Sequence, residues 1–424
     1  MIYLLQLIGK ITAVLLFVFG AYQLLYIPIA LFIRKKAAEA KETNSYAVLI
    51  CARNEEAVIP DLISSIKSQT YNQELIKIFV MADSCTDETA SVCRALGAVV
   101  YERQNTEKIG KGYALEALLD GISADYPDGF DGYFVFDADN VLDKAYISEM
   151  NKVFCSGYDI VTGYRNSKNY GDNMISAGYA LSFLREGRFL NYPRYVVGSG
   201  CTIGGTGFMF SREILEEQGG WKFHLLTEDI EFSAYHIING RKIGFAQDAV
   251  FYDEQPVTFK QSWDQRLRWV KGYMQVLRKY GLKLLCGVFK GEFACFDMLS
   301  SLTPIFILSA VGLLTNAINA LLMLLSGEPA VLAAAVLAEP LILAYGTMFI
   351  IGFITVISEW NRIHTSASKK IIYSLTFPIF LLSYLPIAIV ALFSKKVSWK
   401  PIVHKGSCTS LPARLKKGLN DALK

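Results

Sequence analysis

The sequence predicts an α/β protein, with a doubly wound, mostly parallel sheet domain, flanking transmembrane helices and amphipathic interfacial helices. The first observation behind this prediction is that short apolar runs alternate with segments of helical spacing over residues 45–136, as in a parallel sheet that helices cover on both faces. The second is a set of four apolar stretches, each long enough to cross a bilayer, that together contain one charged side chain, Glu339. These stretches are residues 11–33, 298–325, 330–357 and 371–393.

The composition agrees with a soluble domain that is held by membrane anchors. Hydrophobic residues make up 52% of the 424 residues and charged residues 19%, and nearly all of the charge lies outside the four apolar stretches. The high apolar content excludes a disordered chain, and eight cysteines are too few for a disulfide scaffold. A formal net charge of only +3 gives no reason to expect a nucleic-acid partner.

The first apolar stretch is predicted to be a transmembrane helix at residues 1–33. It is too long for the apolar core of a signal peptide, and Arg34, Lys35 and Lys36 close it where a cleavage site would lie. Positively charged residues next to a membrane helix favour the cytosolic side. The domain that begins at residue 34 is therefore predicted to be cytosolic.

Residues 297–393 are predicted to form a C-terminal transmembrane region of about three segments, followed by a basic tail at 394–424. A full crossing by the last apolar stretch would place this basic tail outside the cell, against the preference for positive charge inside. Pro378 and Pro386 within that stretch would also permit a bent or re-entrant path. The sequence leaves both paths open.

Four strands and three helices are predicted in order within the α/β domain. The apolar runs that predict strands are residues 46–51, 76–81, 98–101 and 133–136. The segments with helical spacing between them are residues 56–69, 87–96 and 111–122. Because ligands of such sheets bind at the carboxyl ends of the strands, the residues that follow each strand are the first candidates for a site.

Polar, mostly acidic residues follow three of the four predicted strands. Arg53 and Glu55 follow the first strand, Asp83 follows the second, and Asp137 and Asp139 follow the fourth. No glycine-rich phosphate loop follows the first strand, which excludes the usual Rossmann and P-loop sites. Two carboxylates two positions apart at a strand end offer hard oxygen ligands to Mg²⁺ or Mn²⁺, although an isolated pair of this kind also occurs in solvated turns.

Two further segments are candidates for the same site. Glu228 and Asp229 precede a predicted helix at 230–238, where acidic residues also serve as helix caps and dipole partners. The glycines of residues 204–207 would let the backbone approach a ligand closely, and a plain turn explains them equally well.

The pattern of apolar residues over 259–284 predicts one amphipathic helix. Six apolar residues fall on one helical stripe, namely Phe259, Trp263, Leu267, Val270, Met274 and Leu277. With the basic residues around it, this stripe predicts an interfacial helix whose apolar side lies on lipid. Gln265, Arg268 and Trp269 fall on the other side, and a tryptophan there predicts that this side faces the pocket of the α/β domain.

The ordered set of motifs resembles the membrane-integrated family 2 glycosyltransferases, the group that holds the cellulose, chitin, hyaluronan and bacterial poly-N-acetylglucosamine synthases. The matching motifs, in order within residues 45–283, are Arg53-Asn54-Glu55, Asp83, Asp137-x-Asp139, Thr227-Glu228-Asp229 and Gln265-x-x-Arg268-Trp269. The flanking membrane helices resemble that group as well. This resemblance implies the GT-A fold and a nucleotide-sugar donor, most often a UDP-sugar.

The resemblance also implies a role for each matching residue. The nucleotide-sugar-binding set is Arg53, Glu55, Asp83, Lys111 and Asp137, in which Glu55 and Asp83 resemble the residues that hold the base and the ribose. The metal set, for Mg²⁺ or Mn²⁺, is Asp139 with Asp137. The catalytic set is Asp229, which resembles the general base, with Glu228, and the set for the acceptor and pyrophosphate is Gln265, Arg268 and Trp269.

The chain is therefore predicted to be an inverting, metal-dependent β-glycosyltransferase, of hexosyl or N-acetylhexosaminyl type, that acts on a growing polysaccharide. A single displacement by an acceptor hydroxyl inverts the anomeric centre. The predicted parts are a membrane helix at 1–33, a cytosolic GT-A domain at 34–257, interfacial helices at 258–296, a transmembrane region at 297–393 and a basic tail at 394–424.

Two alternative functions stay open. A non-processive transferase that glycosylates a lipid acceptor on the cytosolic leaflet fits the small number of membrane segments after the domain. A membrane transporter or scaffold with a regulatory α/β domain would explain Glu339, since a charge within a membrane is costly and often functional.

The sequence departs from the family pattern at Ala82, which stands in place of the first acid of a common pair. This departure puts only the details of contact with the nucleotide base in doubt.

The predicted partners are a nucleotide-sugar donor, a saccharide or lipid-linked acceptor and membrane lipid, without nucleic acid. The predicted location is the cell membrane, as a multi-pass protein with a cytosolic catalytic domain.

Overall fold

The computed structural model describes residues 2–303, 305–394, 406, 409–413 and 415–416. The chain begins with two helices, α1 (Ile2–Gly20) and α2 (Tyr26–Phe32), joined by a 3₁₀ turn. Together they correspond to the predicted N-terminal membrane helix.

A sheet of eight strands lies at the centre of the described part of the chain. In chain order the strands are β1 (Tyr46–Ala52), β2 (Ile76–Asp83), β3 (Val99–Arg103), β4 (Gly132–Asp137), β5 (Val141–Leu142), β6 (Ile160–Ser167), β7 (Phe208–Ser211) and β8 (Ile243–Asp253). Their order across the sheet is β3-β2-β1-β4-β7-β6-β8-β5.

The first half of the sheet has the predicted parallel arrangement. β1 pairs in parallel with both β2 and β4, and β2 pairs in parallel with β3. β1 and β4 are buried along most of their length, because helices cover both faces of a parallel sheet. The four predicted strands are therefore confirmed.

The second half of the sheet is mixed, and the sequence patterns predicted none of its strands. β7 is antiparallel to both β4 and β6, whereas β6 and β8 are parallel. β5 and β7 have two and four residues, too few to show an alternation. β6 is interrupted by buried polar residues, Thr162, Asn166 and Ser167, so it does not show as an apolar run.

Eight helices cover the sheet. They are α3 (Ile59–Lys67), α4 (Thr89–Ala95), α5 (Lys111–Asp125), α6 (Tyr146–Cys155), α7 (Met174–Glu186), α8 (Tyr192–Val197), α9 (Arg212–Gln218) and α10 (Glu228–Ile238). The three predicted helices correspond to α3, α4 and α5, of which the first two are shorter than predicted. The predicted helix after the Thr227-Glu228-Asp229 motif corresponds to α10.

Two helices follow the sheet, α11 (Phe259–Phe289) and α12 (Phe293–Leu302). Asp297 of α12 joins the N-terminal helices to the sheet domain, because it forms a buried ion pair with Arg194 of α8 and also binds the N-terminal segment. Arg194 Nη2 donates to Asp297 Oδ1 at 2.7 Å, and the hydroxyls of Tyr22 and Tyr26 donate to the same carboxylate at 2.7 and 2.6 Å. The domain and its first membrane helix are thus joined through one shared carboxylate.

Four helical segments of the described chain are long and apolar enough to cross a membrane. They are Leu7–Phe32, α13 (Ile305–Leu325), α14 (Ala330–Ser358) and Ala367–Phe393. They correspond to the four predicted stretches, except that the first residues of the stretch 298–325 belong to α12. The last segment consists of two helices, α15 (Ala367–Leu382) and α16 (Tyr384–Phe393).

The last apolar segment contacts the sheet domain or α11 near its start, in its middle and at its end. Lys369 Nζ donates to Gly171 O at 2.6 Å near the start of α15. Arg266 Nη1 of α11 donates to Phe380 O at 3.1 Å near the bend between the two helices. Lys271 Nζ, also of α11, donates to Ser394 O at 2.7 Å just beyond α16. Both ends of the segment therefore lie against elements on the domain side of the molecule, as a re-entrant path requires.

The described part of the basic tail also returns to the sheet domain, and the remainder of 394–424 lies outside the described residues. Ser410 N donates to Lys168 O at 2.6 Å, and Gly406 N donates to Glu254 Oε2 at 2.9 Å. Leu411 and Leu415 are buried in a small apolar cluster of their own, which is completed by Val141 and Tyr252.

Candidate active site

A cavity of about 530 Å³ opens at the carboxyl ends of the parallel strands, and it is lined by every residue that the sequence assigned to a site. These residues are Arg53, Glu55, Asp83, Lys111, Asp137, Asp139, Glu228, Asp229, Gln265, Arg268 and Trp269. Its volume lies within the range of about 300–1,000 Å³ that is usual for ligand sites.

Strand register brings the first group of these residues together. Ala52, the last residue of β1, pairs with Ala82, and Cys51 pairs with Asp137, so three strands end at one edge. Asp83 is held there by Arg103, whose Nε and Nη2 donate to its two carboxylate oxygens at 2.9 and 3.1 Å. A carboxylate fixed in this way is pre-oriented for a ligand.

Lys111 is the first residue of α5 and brings positive charge to the acidic edge. Its Nζ contacts the Asp137 carboxylate and donates to Gly205 O at 2.8 Å. Burial works against the charged amine, but the negative charges of Asp137 and Glu228 outweigh this effect and raise the pKa of Lys111. The amine is therefore protonated, and together with the amino end of α5 it favours an anion.

Asp137 and Asp139 offer the oxygen ligands that a divalent metal ion binds, but they would fill only part of its coordination sphere. Asp139 is 6% exposed, and Glu254 N donates to its Oδ2 at 2.9 Å. Among the described residues, no group of three His, Cys, Asp or Glu side chains is arranged to hold a metal ion. Two carboxylates fit Mg²⁺ or Mn²⁺ in a site where substrate phosphates and water supply the other ligands.

Glu228 and Asp229 form the first turn of α10, next to the glycine loop. A Cβ atom added to Gly205 would lie 3.7 Å from Asp229 Oδ2, and Gly205 has φ +84°, which favours glycine. Burial raises the pKa of both carboxyls, and the Asp229 charge raises that of Glu228 further. A carboxyl with a raised pKa in a cavity is suited to proton transfer near neutral pH.

α11 presents Gln265, Arg268 and Trp269 to the cavity, as the sequence predicted. Arg268 Nη1 donates to Leu226 O at 3.0 Å, which holds the guanidinium beside α10. Gln265 Oε1 is buried and has no hydrogen-bond partner among the described residues. Trp269 packs edge-on against Tyr179, with ring centroids 5.6 Å apart.

Contact with α10 fixes the position of α11. A Cβ atom on Gly272 would lie 2.5 Å from the Thr227 side chain, so only glycine permits this close approach. Beyond the cavity-lining part of α11, Lys279 Nζ pairs with the buried Glu231. The two helices that carry the catalytic and acceptor motifs are therefore held as one unit.

The predicted lipid-facing stripe of α11 needs one correction. Leu267 lines the cavity, so it does not lie on the lipid side. Phe259 is 53% exposed, while the other four stripe residues are partly buried, because α11 also packs against α16. The basic residue Arg266 of this helix does not lie at a lipid interface either, because it is fully buried and its Nη1 donates to Ser383 Oγ at 2.6 Å.

Several cavity residues were not identified from the sequence. Arg165 of β6 pairs with Asp253, the last residue of β8, and its guanidinium carbon lies 3.7 Å from the centroid of the Phe183 ring. Glu186 and Tyr273 also line the cavity. Asp253 ends β8 as Asp83 ends β2, and Arg165 lies two residues before the end of β6. Recognition of β6 and β8 in the sequence is therefore the signal that would identify them.

Comparison with known proteins gives one family match. Residues 43–272, more than half of the chain, match the family model described as Glycosyltransferase like family 2. The chain is 28% identical over 263 residues to the Probable glycosyltransferase YdaM of Bacillus subtilis (strain 168), covering 57% of this chain and 58% of that protein.

Two further curated relatives have more specific names. The Beta-monoglucosyldiacylglycerol synthase of Synechocystis sp. is 25% identical over 234 residues, covering 54% of this chain and 47% of that protein. The Poly-beta-1,6-N-acetyl-D-glucosamine synthase of Staphylococcus epidermidis is 23% identical over 280 residues, covering 64% and 65%. The chain thus spans between about half and two thirds of the length of these relatives.

A solved structure shares the fold. The mannosyltransferase PcManGT from Pyrobaculum calidifontis, in complex with GDP-Man and Mn²⁺, superimposes with a TM-score of 0.59 at 16% sequence identity. The match covers 92% of this chain and 100% of that chain, so it includes helices outside the sheet domain.

Proposed function

The chain belongs to the glycosyltransferase like family 2, and from this premise we propose that it transfers a sugar from a UDP-sugar to a saccharide acceptor at the membrane, with inversion. The observation that carries the proposal is the convergence of its ordered motifs. Motif side chains from Arg53 to Trp269, spread over three strand ends and three helices, line one cavity.

The acidic edge and Lys111 are proposed to bind the donor. Glu55 and Asp83, with Arg53, would hold the nucleoside, and the amine of Lys111 would face the diphosphate. Asp137 and Asp139 would hold Mg²⁺ or Mn²⁺, which supplies positive charge to the diphosphate when it is bound. The Lys111–Asp137 contact supports this assignment, because it places a cation where the negative leaving group would lie.

Asp229 is proposed to be the general base, with Glu228 beside it. The acceptor hydroxyl attacks the anomeric carbon and its proton passes to the Asp229 carboxylate. The nucleoside diphosphate leaves with the electrons of the broken bond, and Arg268 faces the negative charge that grows on it. One displacement inverts the anomeric centre, so an α-linked donor gives a β-linked product.

Two acceptors are proposed, the first being the end of a growing polysaccharide. Trp269, Tyr273 and Phe183 give the cavity an aromatic wall on which a sugar ring can stack. The second candidate is a lipid acceptor in the cytosolic leaflet. Ser394, which follows α16, also lines the cavity. The last apolar segment therefore ends at the opening of the cavity, which favours a lipid acceptor.

The catalytic domain and the C-terminal tail are proposed to lie together in the cytosol. The contacts of Lys369 and Lys271 with the two ends of the last apolar segment support a re-entrant path. On such a path the basic tail stays inside, which removes the conflict with the charge rule.

The proposal is tested with purified full-length protein, a panel of UDP-sugars and Mg²⁺ or Mn²⁺, with UDP release and product length as readouts. We expect metal-dependent UDP release with at least one donor, and Asp229→Asn to lower the rate by about 10²–10⁴-fold. Asp120→Asn, an exposed change on α5 outside the cavity, is the matched control.

Product length separates the two acceptors. A ladder of long chains supports the polysaccharide, whereas a single lipid-linked product supports the lipid acceptor. If no nucleotide sugar is bound or turned over, the proposal fails, and solute transport without UDP release would favour the transporter alternative.

A further inference from the structure

Two opposite charges lie on the outer surfaces of the membrane helices, and the proposed function uses neither of them. Lys10 of α1 and Glu339 of α14 are both exposed within segments that are long and apolar enough to cross a membrane. Neither has an ion pair or hydrogen bond with any residue that the structure describes. A charge in the hydrocarbon region is costly without a partner, so both side chains need an explanation.

Packing places Lys10 near the middle of α13. A Cβ atom on Gly9 would lie 4.0 Å from Thr315 Cγ2, and one on Gly312 would lie 3.5 Å from Thr12 Cγ2. Lys10 is therefore level with residues 312–315. At 1.5 Å per residue this level is about 16 Å from Leu325, where α13 ends.

Glu339 lies at almost the same depth. α14 begins at Ala330 after a short loop and packs against α13. Nine residues separate Ala330 from Glu339, which corresponds to about 14 Å along the helix from the same loop. The two opposite charges thus lie within about one helical turn of each other in depth, on two helices that both pack against α13.

The side chains around each charge are apolar and exposed, so a helix of another chain can contact them. Val14 and Phe17, on the same face of α1 as Lys10, are 60% and 72% exposed. Ile342 and Leu343, close to Glu339 on α14, are each 70% exposed. Ala335 is exposed one turn before Glu339, and small residues allow helices to approach closely in membranes.

We propose that these two faces form an interface with a second copy of this chain, in which Lys10 of each chain pairs with the partner's Glu339. Rotation about an axis along the membrane normal keeps every residue at its own depth. A lysine and a glutamate at equal depth on one chain are therefore complementary to the same two residues on a second copy, and a two-fold axis makes both pairs at once. The self-complementary charge favours a second copy over a different membrane protein.

Cross-linking in native membranes tests the contact directly. Lys10→Cys and Glu339→Cys are placed in two separately tagged chains that are expressed together, and a short thiol-reactive linker is added. We expect the mixed pair to cross-link. The controls are two Lys10→Cys chains, two Glu339→Cys chains, and the wild-type chain with its eight cysteines. If the controls cross-link as much as the mixed pair does, the proposal is overturned.

Charge reversal tests the energetic role of the pair. Lys10→Glu or Glu339→Lys alone should raise the dissociation constant of the dimer in lipid nanodiscs by about tenfold or more, and the double variant should restore it. Glu328→Lys makes the same charge change in the loop before α14 and should have no effect. The thermal unfolding midpoint of each variant shows that it is folded.

A monomeric wild-type chain, a dimer that Lys10→Glu does not weaken, or cross-linking of residue 10 to a different protein would each overturn the proposal. None of these readouts depends on sugar transfer, so the proposed activity and the proposed dimer can fail independently.

Discussion

Asp229 is a residue whose environment sets the pH at which it can act. Burial raises the pKa of its carboxyl, and a general base must be ionised to accept a proton. Activity should therefore fall as the pH decreases through this raised pKa, well above the value of about 3.9 for an ordinary aspartate.

A profile of kcat/KM against pH measures this effect. We expect the acidic limb to lie nearer to neutral pH than an unperturbed aspartate would place it. A rate that stays constant down to about pH 4 would contradict the role of Asp229 as a base with a raised pKa.

The connection between the N-terminal helices and the domain depends on Asp297. It and its partner Arg194 are each 1% exposed. Asp297→Asn leaves a buried guanidinium without its counter-ion, which we expect to destabilise the fold by about 3–5 kcal/mol. The measurement is the apparent unfolding midpoint of the solubilised protein.

The exposed pair Arg94–Glu102 gives the control for this prediction. Glu102→Gln should cost about 1 kcal/mol or less, because exposed ion pairs contribute little. If the Asp297 and Glu102 variants shift the midpoint equally, the buried carboxylate does not have the stabilising role that its contacts indicate.

At the scale of elements, the close packing of α11 on α10 determines the cavity. Gly272→Ala would place a Cβ atom 2.5 Å from Thr227, so the helices must separate. We expect a loss of about 1–3 kcal/mol in stability from this overpacking, together with lower kcat, because α11 carries Arg268 and Trp269 into the cavity.

Gly281→Ala in the same helix is the matched control. The nearest atom to its added Cβ is Leu277 Cδ1, at 3.1 Å, which belongs to a flexible side chain. Its stability and activity should remain close to those of the wild-type chain, since alanine also favours helix formation. An equal loss of stability and activity in both variants would show that any alanine substitution in this helix is harmful. The close contact with Thr227 would then not be the cause.

The elements also show which part of the fold the sequence patterns could predict. β1 to β4 are short apolar runs between helical segments, so their pattern was clear. β5 and β7 are very short, β6 contains buried polar residues, and the polar residues Gln247 and Asp248 interrupt the apolar run of β8. The pairing of these strands also comes from distant parts of the chain. For the same reason the sequence patterns do not identify Arg165, near the end of β6, or Asp253, at the end of β8.

At the scale of the whole molecule, the last apolar segment decides on which side of the membrane the tail lies. Because both ends of this segment contact the domain side, we expect an epitope tag at the C-terminus to be accessible only in permeabilised cells. A tag in the loop at 326–329 should be accessible on intact cells. A C-terminal tag that antibodies reach on intact cells would contradict the re-entrant path.

The sequence by itself determined the family and the GT-A fold class, and these two predictions are confirmed. It also predicted site residues that line the cavity, but not all of the residues that line it. It could do so because chemistry at a sugar-transfer site requires particular residue types in a fixed order along the chain, such as Asp137-x-Asp139 and Gln265-x-x-Arg268-Trp269.

Only the tertiary structure decided which elements the last apolar segment contacts, the burial of Arg266 and the depth that Lys10 shares with Glu339. Each of these depends on contacts between residues more than a hundred positions apart, or on the relative depth of helices that are distant in sequence. Local composition records that a segment is apolar, but it does not record which surface that segment packs against.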